Sequence, residues 1–322
     1  MRSGGVLIWR AFATAALALL LTAGAAAAAP SGPRLGVVKL TWKPQRVAIL
    51  TVSPSGAKPF RLARSDEFSP VDSLPALSWR PDGGEAAFNG IGNLFRANAD
   101  GSGARPINAA SAESPVYAPD GHTIAFARFG RRGLEVWTID LDTGEQRQLT
   151  PSRRGLIYIP TSFSPDGRTL LATRVDNRLR GDAEPVALHL DTGGVTRLVE
   201  EGLEPMYSPD GSRIALLRDF GNRRNPSLRA NDLFVLNPAT GSLRRLTDTP
   251  HKDELYPSWD PSGERIAFAR FRRNRFEWAN SIVQVNADGS CEKEILPTRE
   301  RVLLYAPAWQ PGLGREAGRI SC

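Results

Sequence analysis

Three histidines and one run of acids are the residues best suited to chemistry, and their spacing argues against a shared centre. His122, His189 and His251 fall in different copies of a repeating chain, so a common metal site is not expected. His251 stands beside Lys252, Asp253 and Glu254, the most enzyme-like local cluster, yet a solvated loop explains that stretch better. Asp140-Leu141-Asp142-Thr143-Gly144-Glu145 has the alternating donors of an incipient calcium loop. The rest of a twelve-residue loop is missing, so a plain turn is expected. No Gly-x-Ser-x-Gly elbow and no phosphate loop occur. The expectation is therefore no catalytic residue, no metal and no cofactor.

Arginine carries the remaining chemistry. Of 41 basic residues only five are Lys. A guanidinium suits carboxylate and phosphate because its donors form a planar fork. Arg128, Arg174, Arg218 and Arg270 recur at one position of the repeat, Lys39 fills it in the N-terminal copy, and Gly90 departs from it. The loops that follow add Arg131, Arg132, Arg178, Arg180, Arg223, Arg224, Arg229, Arg272, Arg273 and Arg275. A second loop set holds Arg153, Arg154 and His251. An Ala-, Gly-, Pro- and Arg-rich composition explains arginine abundance without function, and Asp176, Asp182, Asp219 and Asp232 neutralise part of it. Position argues for more: equivalent places in successive repeats would set these cations in a broken ring. Phe129, Phe220 and Phe271, which follow three of those arginines, would add stacking surface.

The element that positions these residues is aromatic-x-Pro-Asp-Gly. It stands complete at Trp79–Gly83, Tyr117–Gly121, Phe163–Gly167 and Tyr207–Gly211, and weakens at Trp259–Gly263 and Trp309–Gly312. Its prolines, 81, 119, 165, 209, 261 and 311, are 38 to 52 residues apart, the period of a propeller or solenoid. Pro presets the turn, Asp bonds the neighbouring backbone and Gly takes the left-handed angle. A second turn alternates with it at Asp100-Gly101, Thr143-Gly144, Thr192-Gly193, Thr240-Gly241 and Asp288-Gly289. Two turns per repeat give four strands, A to D, which is a propeller blade. Arg34–Leu40 matches strand B of a later repeat, so the N-terminus carries B, C and D without A, and Tyr305–Gln310 is an A strand without B to D. Joining the ends yields an all-β, six-bladed propeller of four-stranded antiparallel blades with no open edge. Trp79, Trp137, Trp259 and Trp309 are expected as packing between blades.

The motif, its spacing and the Leu149-Thr150 and Leu246-Thr247 strand endings resemble the TolB-like propeller repeat over nearly the whole chain. The resemblance implies a non-catalytic propeller; TolB is periplasmic and binds envelope proteins. It also has an N-terminal α/β domain, for which no counterpart is expected, because few residues precede the first strand. Residues 1–29 read as a signal peptide: Arg2 and Arg10, an apolar run at 11–21 and a small-residue cleavage region at 25–29. Residues 30–322 are then one propeller domain. In an exported chain the two cysteines, Cys291 and Cys322, are expected to pair, since the tail after Gly312 is long enough to reach the adjacent blade. The function expected is binding of an envelope protein or anionic polymer through the arginine-rich face. A hydrolase or lyase at the channel mouth is the alternative. Nucleic acid is disfavoured by export, no membrane span remains after cleavage, and a monomer is expected.

Overall fold

The turn motif folds as its residues require. In the first copy Gly83 N–H donates to Arg80 O at 2.8 Å, and Asp82 Oδ1 accepts from Gly84 N–H at 2.8 Å. Gly83 has φ 70°, and a Cβ there would sit 2.1 Å from Pro311 O, so no other residue fits. The computed structural model describes residues 32–42, 45–65, 76–90, 93–178, 183–219, 230–249, 252–272, 280–297, 302–312 and 318–322. The expected leader at 1–29 and His251 lie outside them. Among the described residues no helix is long and apolar enough to cross a membrane.

Strands β1 (Leu35–Trp42), β2 (Gln45–Val52) and β3 (Phe60–Ser65) come first. One sheet follows in chain order: β4 (Leu77–Trp79), β5 (Glu85–Asn89), β6 (Leu94–Asn98) and β7 (Arg105–Ile107). Next come β8 (Ala112–Tyr117), β9 (Thr123–Phe129), β10 (Leu134–Asp140) and β11 (Gln146–Gln148), then β12 (Leu156–Phe163), β13 (Thr169–Asp176), β14 (Ala183–His189) and β15 (Val195–Arg197). A further sheet holds β16 (Leu203–Tyr207), β17 (Ile214–Asp219), β18 (Asn231–Leu236) and β19 (Leu243–Arg245). The last in chain order holds β20 (Lys252–Trp259), β21 (Arg265–Arg272), β22 (Asn280–Asn286) and β23 (Lys293–Leu296), and β24 (Val302–Trp309) ends the strands.

The two chain ends share one sheet, ordered β24-β1-β2-β3, with Leu35 opposite Trp309 and Thr41 opposite Val302. The one departure from separate four-stranded sheets is at β8–β15, which runs as a single eight-stranded sheet. The join is one parallel bridge, Leu134 to Ile157. Gly133 makes it possible, because a Cβ there would lie 2.0 Å from Leu156 O. The first strands touch in sequence, β4 to β8, β12, β16, β20 and β24, and β24 returns to β4.

The core lies between sheets. Ala87, Leu94 and Ile107 of one sheet pack on Ile124, Phe126 and Ile139 of the next. Leu35, Val37 and Val52 pack on Ala267, Ala269 and Ile282 across the chain ends. Burying one such Leu, Ile or Phe side chain stabilises the fold by about 1.5–3 kcal/mol. The inner strands are therefore largely apolar on both faces, and a buried polar exception such as Gln284 on β22 is hydrogen-bonded, its amide donating to Pro54 O.

Candidate binding site

The repeat-position cations meet different fates. Arg270, on β21, is buried, and its guanidinium bonds Glu254 Oε1 at 2.6 Å and pairs with Glu292. Glu254 is fully enclosed, with Thr247 donating its hydroxyl to it. Burial pushes the Glu254 carboxyl up, while Arg270 pulls it down; Arg270 also holds Glu292 below the usual range. Arg174 is half-buried and pairs with Glu184. Arg128 is half-buried over the Trp137 ring, 4.5 Å from its centroid, and donates to Gln146. Arg218 is half-buried, opposite Asp232 in register and 5.8 Å from the Phe234 centroid. Lys39 is half-buried on β1, opposite Leu304 of β24.

The loop arginines differ. Arg131, Arg132, Arg153 and Arg154 are all exposed, and among the described residues none of them makes an ion pair. Two loops bring them together. Gly155 N–H donates to Arg132 O at 2.9 Å, and Leu156 N–H to Arg153 O at 3.1 Å. The Leu134–Ile157 bridge then locks the two strand starts. Arg178 flanks them, its stem 3.1 Å from where a Gly155 Cβ would be, but its charge is taken by Asp176, whose pKa falls to about 2 beside it. Phe129, 38% exposed, ends β9 on the same rim. Glu135 lies beneath, buried and accepting from the Ser152 hydroxyl at 2.7 Å.

The other predicted residues are placed as follows. His122 Nδ1 meets Asp142 Oδ2 at 2.8 Å on an exposed edge, and His189 ends β14 beside Thr196. Asp140 Oδ1 is spent on its own turn, accepting from the backbone of Asp142 and Thr143 and from the Thr143 hydroxyl. Cys291 and Cys322 form a disulfide with Cα atoms 5.0 Å apart. Ile320 exchanges backbone bonds with the Asn286 amide, and Arg319 pairs with Asp288, so the tail lies along the end of β22.

Sequence reasoning missed the centre. The first strands surround a cavity of about 570 Å³ lined by Trp79, Tyr117, Phe163, Tyr207, Trp259 and Trp309. Trp79, Trp259 and Trp309 are buried as expected of packing residues, yet they form cavity wall as well. Trp79 Nε1 donates to Ala308 O at 3.0 Å and Trp259 Nε1 to Met206 O at 3.1 Å, tying adjacent first strands together. Bulges re-aim the residue before each inner proline. Ser114, Glu204, Tyr256 and Ala306 have φ of 54°, 52°, 58° and 44°, and all four line the cavity. The readable signal was a second proline, two before the aromatic, in Ser114-Pro115-Val116-Tyr117, Glu204-Pro205-Met206-Tyr207, Tyr256-Pro257-Ser258-Trp259 and Ala306-Pro307-Ala308-Trp309.

The family description "TolB beta propeller domain" fits residues 110–313, more than half of the chain. The chain belongs to this family. The Tol-Pal system protein TolB of Anaeromyxobacter dehalogenans is 33% identical over 138 residues, covering 42% of this chain. That stretch is only 29% of the relative's own length. TolB from Acinetobacter baumannii superposes with a TM-score of 0.71 at 22% identity, over 87% of this chain and 67% of that one. A chain of a nidogen/laminin complex matches with a TM-score of 0.60 at 14% identity, over 87% and 99%. At such identities the likeness to solved structures shows the propeller fold alone. The antiparallel, all-β sheets of this chain agree with that family.

Proposed function

We propose that this chain is an exported, six-bladed TolB-like propeller that binds an acidic envelope protein or anionic polymer through exposed arginines on one rim. On this reading β8–β11 and β12–β15 are two blades bridged at a single residue pair, and β24 with β1–β3 is the blade that closes the ring. The cycle of contacts among the first strands supports six. Export rests on the leader-like residues 1–29 and agrees with the disulfide. The same features support a periplasmic, cell-wall-associated or extracellular location.

The observation that carries the reading is the grouping of Arg131, Arg132, Arg153 and Arg154, exposed and without ion pairs to described residues. Lys39, Arg128, Arg174 and Arg218 then form a flank with part of its charge already engaged, and Arg270 serves the wall. His251 is the remaining candidate on the second loop set. Open guanidiniums attract anions over a Debye length of about 8–10 Å, steering association more than fixing affinity.

A photo-crosslinking residue placed at Arg132 or Arg154, in the exporting cell, tests this. One acidic envelope component should be trapped at both positions and not from Val195, an exposed residue of β15. Equal trapping from Val195, or none from the arginine loops, would reject the surface.

A further inference from the structure

We propose that the central cavity is a binding site for a small organic ammonium compound, with Glu204 as its counter-ion and the aromatic wall as its apolar surround. Among the described residues lining the cavity, Glu204 is the single one with a charged side chain of the acid or base series; the rest of them are apolar, aromatic, Ser or Thr. A cavity of about 570 Å³ is large enough for a ligand of several non-hydrogen atoms. An apolar chamber with one carboxylate and many rings selects a cation that carries hydrocarbon: the carboxylate takes the ammonium, and ring faces tolerate it. An anion or a strongly hydrated metal ion gains nothing from such walls. The arginine rim selects the opposite charge, so the two sites address different ligands.

The position of Glu204 is built into the backbone. Its left-handed φ of 52° comes at a bulge in the β16–β17 register between Leu203 and Met206. Ser114, Tyr256 and Ala306 share this backbone in their own repeats, so what sets Glu204 apart is the carboxylate it brings to the bulge. Glu204 N–H donates to Thr173 Oγ1 at 2.8 Å, anchoring the bulge to β13. One carboxylate oxygen, Oε2, accepts the Tyr256 N–H, and Glu204 is a half-buried member of the cavity lining. Earlier in the chain the corresponding bulge amide, Ser114 N–H, is taken by the side chain of Asn89 on β5. Thr173 plays that part on β13, but the matching place on β17 is Leu217, so Glu204 supplies the acceptor itself. A glutamine would satisfy that bond equally well; a charge is needed only for a charged guest.

The groups whose charges bear on the site are Asp253, which acts on Glu204 directly, and Tyr305 and Glu113, which act on Tyr256. Burial, with Asp253, lifts the Glu204 pKa to about 7, and burial raises Tyr256 and Tyr305, which stay neutral. Glu204 is therefore ionised above neutrality and protonated below it. An ammonium ligand should bind more tightly as pH rises from 6 to 8.

The test uses n-hexylammonium and, as its neutral counterpart, n-hexanol, with the whole protein. Binding is read by calorimetry and by the fluorescence of Trp79, Trp259 and Trp309 in the cavity wall. Wild type should prefer hexylammonium to hexanol by roughly tenfold or more at pH 8, the worth of one charge-assisted contact. Glu204→Gln should lose that preference, hexylammonium and hexanol then binding alike. If Glu204→Gln fails to fold, the pH series on wild type decides: hexylammonium affinity should climb from pH 6 to 8 while hexanol stays flat. Equal binding of the two probes, or a hexylammonium affinity indifferent to pH, overturns the proposal.

Discussion

Arg270 and Arg154 are the same side chain in two surroundings, and they show what decides an arginine's role. Arg270 sits on a strand, buried, with Glu254 and Glu292 on its two sides. Arg154 sits in a loop, exposed, with no ion pair to a described residue. The first is part of the wall, since a buried cation left without its acids would be untenable. The second has its charge available for something outside the chain. Repeat position pointed to Arg270; the presence or absence of a facing acid points to Arg154.

The framework side of this contrast breaks most completely at the seam. Deleting residues 30–65 removes β1–β3 and strips β24 of its partner β1. The shortened protein should show no cooperative melt by calorimetry; a transition near the parent temperature would mean that the shared sheet is dispensable. Arg270→Ala comes next. It leaves fully enclosed Glu254 without its cation and should lower unfolding free energy by about 3–5 kcal/mol in denaturant titrations. Arg154→Ala should fall within about 0.5 kcal/mol of wild type. Similar losses for both would dissolve the distinction.

The disulfide predicts a smaller effect. Cys291 and Cys322 are 31 residues apart, and that loop contains β24. Cys291→Ser paired with Cys322→Ser should cost about 2–4 kcal/mol, chiefly through the unfolded chain. Thiol titration of the denatured, unreduced wild type should find none; two reactive thiols would contradict the bridge. Smaller still is a pH effect. The Glu204 pKa rises from 4.5 to about 7, so the folded chain holds a proton that the unfolded chain releases between those values. Wild type should therefore lose stability as pH climbs from 4.5 to 7, and no more beyond. Glu204→Gln should be more stable than wild type above pH 7, by on the order of 1 kcal/mol after allowance for the carboxylate's access to the cavity, and equal to it below pH 4.5. A difference independent of pH would show that the change acts through packing.

Much of the architecture was legible because turn chemistry is local. Pro-Asp-Gly at Trp79–Gly83 fixes its turn whatever surrounds it, and the copy at Tyr207–Gly211 repeats it with φ 72° at Gly211. The match of Arg34–Leu40 to a later strand B led to the shared sheet, because alternation in a strand is also local. Pairings between strands were less legible. Glu292 lies 22 residues from Arg270, and Gln146 lies 18 from Arg128, so nothing in spacing marks them as partners. The Leu134–Ile157 bridge depends on the close approach allowed at Gly133, which looks like any loop glycine. The cavity was hidden for a different reason. Trp259 and Trp309 pack as their repeat position implies, stacked under Arg213 and Arg265 at 4.8 and 4.7 Å. That they also face an open centre depends on the radius of the ring, which no single repeat encodes.

The salt dependence of binding to an acidic probe tests the central claim most directly. Poly-glutamate affinity would be measured over a range of salt for three proteins: wild type, the Arg131→Ala, Arg132→Ala, Arg153→Ala, Arg154→Ala variant, and Arg128→Gln with Arg174→Gln. All three should be folded by their melting curves. The account predicts that the four-loop variant binds at least roughly tenfold more weakly with a flattened salt slope, while the strand variant stays close to wild type. A folded four-loop variant with the affinity and slope of wild type would contradict it.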